Sequence, residues 1–227
     1  LFLIIPQFFN YQKKELIIEN YVYFNYGLQI KKIENIKYKF FPIPKLEITN
    51  INSDFYYKGT NLKTKKLIIY PKLPSIYNYS NFEARKIVLE NNDLKINLKN
   101  LQHLSKKIFF LKKKLFIKNL NLNIKEKNNT ILNIKKINFL NYGYKKNIVR
   151  GEIFKKNFNI KLDENFKNIN FELLKTGVSA KINIIERDKL NKIKGNLKGK
   201  ILKSNFKSDF IFDGKKIEFE NFYFRDK

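Results

Sequence analysis

Proton-transfer chemistry in this chain would rest on a few side chains. Glu34 with Glu47, and Glu218 with Glu220, are the candidate carboxylate pairs, since acid–base catalysis needs one protonated and one ionised group within reach of the same bond. Glu218 and Glu220 stand two apart in a strand pattern and share the face opposite Ile217 and Phe219, so they read as surface. His103 is the only histidine, and cysteine is absent. A metal centre or a triad would need a partner beside it, so His103 reads as a solvated or loosely packed side chain. Neither Gly-x-Ser-x-Gly nor a Gly-rich phosphate loop occurs. The residues imply no enzyme, no metal and no cofactor.

Binding chemistry is better represented. Lysine and arginine total 47 against 20 acidic residues, a formal charge of +27, which favours nucleic acid or an anionic membrane surface. Isoleucine, asparagine, lysine, phenylalanine and tyrosine share A/T-rich codons, so a purely compositional origin of the charge stands beside the functional one. Lysines cluster at Lys63-Thr64-Lys65-Lys66 and Lys112-Lys113-Lys114 and elsewhere alternate with apolar residues. Aromatic residues make up 15% of the chain, enough for a base-stacking platform. Yet Phe158 shares its strand face with Ile160 and Leu162, and Phe210 with Phe212. Such a face is core or lipid-facing, and nucleic acid is not favoured.

The elements that must position these side chains are short strands. A chain of 227 residues, 43% apolar and 30% charged, can hold one large β domain or two small ones. Residues 16–24 suit either a short helix or a strand. Leu67-Ile68-Ile69-Tyr70 reads as a strand closed by Pro71 and Pro74, and 75–81 as a loop or helical turn. Asn91-Asn92-Asp93 is a turn signal between 84–89 and the alternating Leu94-Lys95-Ile96-Asn97-Leu98-Lys99, so this pair reads as a hairpin. Leu101, Leu104 and Ile108 have helical spacing, predicting an amphipathic helix over 100–110. Residues 119–125 alternate cleanly, and a phase slip before Ile137 predicts a bulge. Strands follow at 148–154, 158–162, 168–174, 180–185 and 195–202, with turns at 155–157 and Asp213-Gly214, and a closing hairpin from 206–212 to 217–224. This spacing excludes a parallel α/β fold. The fold class is mainly β: a long twisted antiparallel sheet curled into a taco-like groove, or a β-sandwich, with one or two short helices.

The run from Phe40 to Ile51 combines two prolines, at 42 and 44, with alternation of Leu46 and Ile48 against Lys45, Glu47 and Thr49, slipping at Asn50-Ile51. From Phe41 it resembles the aromatic-Pro-x-Pro-x-apolar-x-apolar-x-Asn-apolar element of the AsmA family, with Tyr26-Gly27-Leu28-Gln29-Ile30 as the preceding strand. The course of such a region can be followed through Val149-Arg150-Gly151, Gly195-Asn196-Leu197-Lys198-Gly199 and the final Phe-rich hairpin, although the family's Gly-x-x-Asn-Trp run is missing. Family members are inner-membrane-anchored periplasmic proteins related to bridge-like lipid-transfer proteins. The resemblance therefore implies phospholipids as ligands, the periplasmic face of the bacterial inner membrane as location, and other envelope proteins as further partners. It divides the chain into 1–25, the exit of a truncated anchor plus lead-in, and 26–227, a β-groove domain from a longer chain. Leu1-Phe2-Leu3-Ile4-Ile5 is too short to span a bilayer by itself.

Shared strand phase then nominates a groove lining: Leu46, Ile48, Leu94, Ile96, Leu98, Leu120, Leu122, Ile124, Phe158, Ile160, Leu162, Phe210, Phe212, Ile217 and Phe219. A purely structural β-sandwich and a basic nucleic-acid-binding protein are the rival readings.

Overall fold

The computed structural model describes residues 2–33, 35–56, 60–127, 129–143, 146–163, 166–187, 192–213 and 216–226. Its fold is mainly β and falls into two compact units, Leu1–Tyr144 and Lys145–Lys227. Glu34 and Gly214, with the features assigned to them, lie outside the described residues.

In the first unit, short 3₁₀ turns lead into α1 (Glu15–Tyr26), followed by β1 (Leu28–Ile30), β2 (Ile36–Lys39), β3 (Lys45–Phe55), β4 (Asn61–Pro71), α2 (Leu73–Tyr77), β5 (Ala84–Asn97), α3 (Leu98–Phe109), β6 (Lys114–Glu126) and β7 (Asn129–Asn141). The strand order is β1-β3-β4-β5-β6-β7, with β2 also on β3. Residues 16–24 are helix because Ile18, Val22 and Tyr26 recur at i, i+4, i+8 and bury completely. Gly27 closes α1 at φ 67°, and a Cβ there would stand 2.2 Å from the Tyr56 ring, so this left-handed cap needs glycine. The Tyr21 hydroxyl accepts from the Ala84 N–H at 2.9 Å and fixes α1 to the start of β5. The buried side of α1 is thus part of the first unit's core.

Two sequence expectations are corrected in this unit. Asn91-Asn92-Asp93 is not a hairpin turn but the middle of β5, and the next strand, β6, pairs with β5 in parallel. Parallel neighbours need a crossover, and α3 supplies it. Leu98 opens that helix and is on no strand. The carboxamide of Asn141 donates to the Ile108 and Leu111 carbonyls at 3.2 and 3.0 Å, satisfying the end of α3.

The misread asparagine belongs to a row. Asn50, Asn91, Asn119 and Lys136 each take positive φ, at 53, 57, 52 and 52°, a conformation asparagine tolerates better than most side chains. At each, the buried parity changes: Leu46 and Ile48 give way to Ile51 and Phe55, Ile87 and Leu89 to Leu94 and Ile96, Leu115 and Ile117 to Leu120 and Ile124. β4 makes the same change with Lys65 and Lys66, between Thr64 and Leu67. Because β3, β4, β5 and β6 change phase in one row, their pairing keeps its register through it. The apolar side chains therefore stay on one face. Asn119 Nδ2 donates to Asn91 Oδ1 at 2.8 Å and Asn121 Nδ2 to Asp93 Oδ1 at 3.1 Å, stitching the other face.

The second unit comprises β8 (Asn147–Ile153), β9 (Lys156–Leu162), β10 (Asn168–Leu173), β11 (Val178–Arg187), β12 (Ile193–Ile201), β13 (Ser204–Phe212) and β14 (Ile217–Arg225). They pair in sequence order, all antiparallel. The first tight turn falls on Phe154-Lys155, one residue earlier than the sequence suggests. Each unit is an open sheet with no second sheet stacked on it among the described residues, so the sandwich alternative is not what these strands form. The strands of the first unit are mixed, and its described residues include three α-helices.

Candidate functional site

The fifteen nominated lining residues separate into two kinds. In the first unit, Leu46, Ile48, Leu94, Ile96, Leu120 and Ile124 are 7% exposed or less. They lie in cross-strand rows, such as Leu46–Ile69–Ile87–Leu115 and Ile48–Leu67–Leu89–Ile117. These rows form a packed interior, joined by Ile18, Val22, Tyr26 and Leu104 from the helices. Leu122 is half-buried, and Leu98, on α3, is exposed.

In the second unit the nominated residues share one face, whose exposure rises from β9 to β14. Register places Ile160 beside Phe171, then Ala180, Gly199, Phe206 and Phe224 in one row across six strands. A second row runs Leu162–Ile169–Ile182–Leu197, and a third Ile184–Gly195–Phe210–Phe219. Phe212 pairs with Ile217 at the end of the face. Phe158 and Leu162 are buried, Ile160, Phe210 and Phe212 half-buried, and Ile217 and Phe219 exposed. Phe171, Ile182 and Leu197 complete the face and were missed as site residues. Strand phase would have found them, since each keeps the parity of a nominated neighbour.

Gly195 and Gly199 were beyond that rule, having no side chain to pattern. A Cβ on Gly199 would come 2.0 Å from the Phe206 ring, and one on Gly195 2.7 Å from the Phe210 ring. The two rings thus lie over the glycines of β12, filling the gaps that a missing side chain leaves in a sheet. The result is a level apolar surface.

The opposite face of this unit is polar. Asn170, Lys181, Lys198 and Lys207 form one cross-strand row, and the first three line an open depression of about 520 Å³ with Asn159, Lys161 and Lys200. Aromatic side chains are nearly absent from it, Tyr223 at the edge being paired with Lys207.

Of the acid–base candidates, Glu34 lies outside the described residues, while Glu47 and Glu218 are each held by lysine. Glu47 is buried among Lys39, Lys45 and Lys66, with Nζ–carboxylate distances of 2.9, 3.0 and 3.2 Å. Burial by itself would raise its pKa, but hydrogen bonds from the three ammonium groups outweigh it and hold the carboxyl at about 2. Glu218 pairs with Lys216 at 2.9 Å on the surface. His103 is exposed on α3, and no cluster of three metal-ligating side chains occurs among the described residues. No helix among them is long and apolar enough to cross a membrane. No protein family, no curated protein and no solved structure matches this chain.

Proposed function

We propose that this protein is a non-enzymatic lipid-binding protein whose second unit takes phospholipid acyl chains along its apolar sheet face. One observation carries the reading: an apolar face continues over β9 to β14, buried at Phe158 and Leu162 and opening to solvent toward β14, with Ile217 at 52% and Phe219 at 58% exposure. An apolar surface of that extent marks a binding site. Each methylene removed from water contributes about 0.8 kcal/mol, so an acyl chain laid across several rows is held without any specific polar contact. The Phe-over-Gly packing on Gly195 and Gly199 leaves no deep pocket to trap the chain, and a level surface favours sliding. The resemblance to the AsmA family supports phospholipid transfer between inner and outer membranes as the role, with the periplasmic face of the inner membrane as the location.

Mass spectrometry of lipids extracted from the full chain, purified without detergent, tests this. Near-stoichiometric phospholipid is expected, and Ile160→Glu should abolish it while leaving the fold intact. A monodisperse, lipid-free protein would overturn the reading. The basic nucleic-acid-binding alternative draws on the Lys181–Lys198–Lys207 row, but Lys181 and Lys198 are in register with no aromatic residue on which a base could stack, Tyr223 beside Lys207 standing at the edge. Oligonucleotide titration with a steep salt dependence would favour it.

A further inference from the structure

One end of the first unit carries large apolar side chains that its sheet leaves uncovered. β2 finishes, β3 begins, β4 finishes, and β5 and β6 begin side by side there, as the pairings Lys39–Lys45, Leu46–Ile69, Ile69–Ile87 and Ile87–Leu115 show. The loop 40–44, α2 and the lead into β6 therefore share that end. The N-terminal turn is tied to it as well. Tyr38 donates to the Leu3 carbonyl at 3.1 Å, Tyr77 donates to the Phe2 carbonyl, and Phe9 meets Tyr77 edge-on at 6.2 Å. From these segments Phe8 is 83% exposed, Phe41 77%, Phe2 67%, Leu73 53% and Ile43 48%. Apolar tips gathered from three separate stretches of sequence mark an interaction surface.

Cations stand at the same end. Lys112, Lys113 and Lys114 lead into β6, and none forms an ion pair among the described residues. The Glu83 carboxyl is held below its ordinary value first by Lys72 and also by Lys113, which puts the lysine run within electrostatic reach of the α2 segment. We infer that this end docks on an anionic lipid bilayer, with Phe8 and Phe41 entering the boundary between head groups and acyl chains and Lys112–Lys114 meeting lipid phosphates. Stable surface binding takes two signals, an apolar insertion and a basic patch, and both are present here. The apolar side chains project from turns and do not line a groove, which suits a fluid interface better than a shaped protein partner. This docking is separate from acyl-chain binding by the second unit.

The chain contains no tryptophan, so Phe41→Trp in the full chain gives a clean reporter at an exposed position. With vesicles of phosphatidylglycerol and phosphatidylcholine, its emission should shift to the blue and be quenched by brominated acyl chains. Pure phosphatidylcholine should give much less, and Lys112→Gln or Lys113→Gln should each weaken partitioning about five-fold. Ile160→Glu, which tests the other site, should leave insertion unchanged. No shift with either vesicle, or a shift indifferent to vesicle charge and to the lysine variants, overturns the inference.

Discussion

The two units are made from the same materials and use them differently. Both are sheets of isoleucine, phenylalanine, asparagine and lysine with one apolar face. In the first, Leu46, Ile48, Ile69, Ile87 and Leu115 are wholly buried, and strands β3 to β6 run 11 to 14 residues. In the second, strands run 6 to 10 residues and β14 is exposed at every position. The first unit has α1 and α3 to contribute Ile18, Val22, Tyr26 and Leu104 to its interior, and the second has no α-helix among its described residues. An alternating strand specifies that a face is apolar. Whether that face becomes core or binding surface depends on what else the chain brings to cover it.

Paired truncations test this contrast with the largest expected effect. Leu46→Ala removes a fully buried side chain and should cost about 2–5 kcal/mol, because the cavity it leaves has little freedom to collapse. Ile160→Ala acts on a half-buried residue of the same strand phase and should cost under about 1.5 kcal/mol. Urea unfolding of each variant measures both. Equal costs would mean that the second unit's face is covered too, and the division between core and surface would fail.

The next effect belongs to Glu47. Its carboxyl is lowered from the ordinary 4.5 to about 2 in the folded chain, so the folded state binds this proton less tightly than the unfolded state. The stabilisation is complete above the unfolded value and is lost as pH falls through about 5 toward 2. At one unit per 1.36 kcal/mol the ceiling is about 3 kcal/mol. Stability measured from pH 7 to pH 3 should fall accordingly, and Glu47→Gln should flatten that slope while lowering stability at pH 7, since it strands Lys39, Lys45 and Lys66 around a neutral group. An unchanged slope would show that the acid sensitivity originates elsewhere.

Much of this was legible in the sequence because it is local. Strand alternation located the apolar face on both units, and the slip before Ile137 was read as a bulge, in agreement with the shifted register of β6 and β7 and positive φ at Lys136. The slip at Asn50 suggested a bulge or a strand end and is neither, since β3 continues through it in unbroken register with β4. Asn91 defeated the same reasoning. Asparagine suits a tight turn and a left-handed residue within a strand equally well, and only the matching phase changes in β3, β4 and β6 distinguish them. Leu98 was misplaced because the period-2 pattern of β5 runs without interruption into the period-3.6 pattern of α3. The closed interior of the first unit was not legible, since burial there depends on helices whose docking is a tertiary fact. Tyr21 reaching Ala84 has no signature in spacing.

The smallest effect concerns how the units handle lysine. In the first, Glu47 sits at the centre of three ammonium groups. In the second, Lys198 stands directly opposite both Lys181 and Lys207, and none of the three has an ion pair among the described residues. Like charges in direct cross-strand register are destabilising, and opposite charges contribute roughly 0.2–1 kcal/mol per pair. Lys198→Glu converts two repulsive pairs into two attractive ones, giving the second unit the arrangement the first already has. Solvent exposure holds the gain to about 1 kcal/mol at low ionic strength, and in ~0.5 M salt, where the Debye length falls to a few Å, most of it should vanish. Thermal unfolding of this variant at the two salt concentrations measures the difference. A gain that survives high salt would assign the effect to strand propensity, and no gain would mean that the lysine side chains splay far enough apart to avoid one another, leaving the charge of this face with no energetic consequence for the fold.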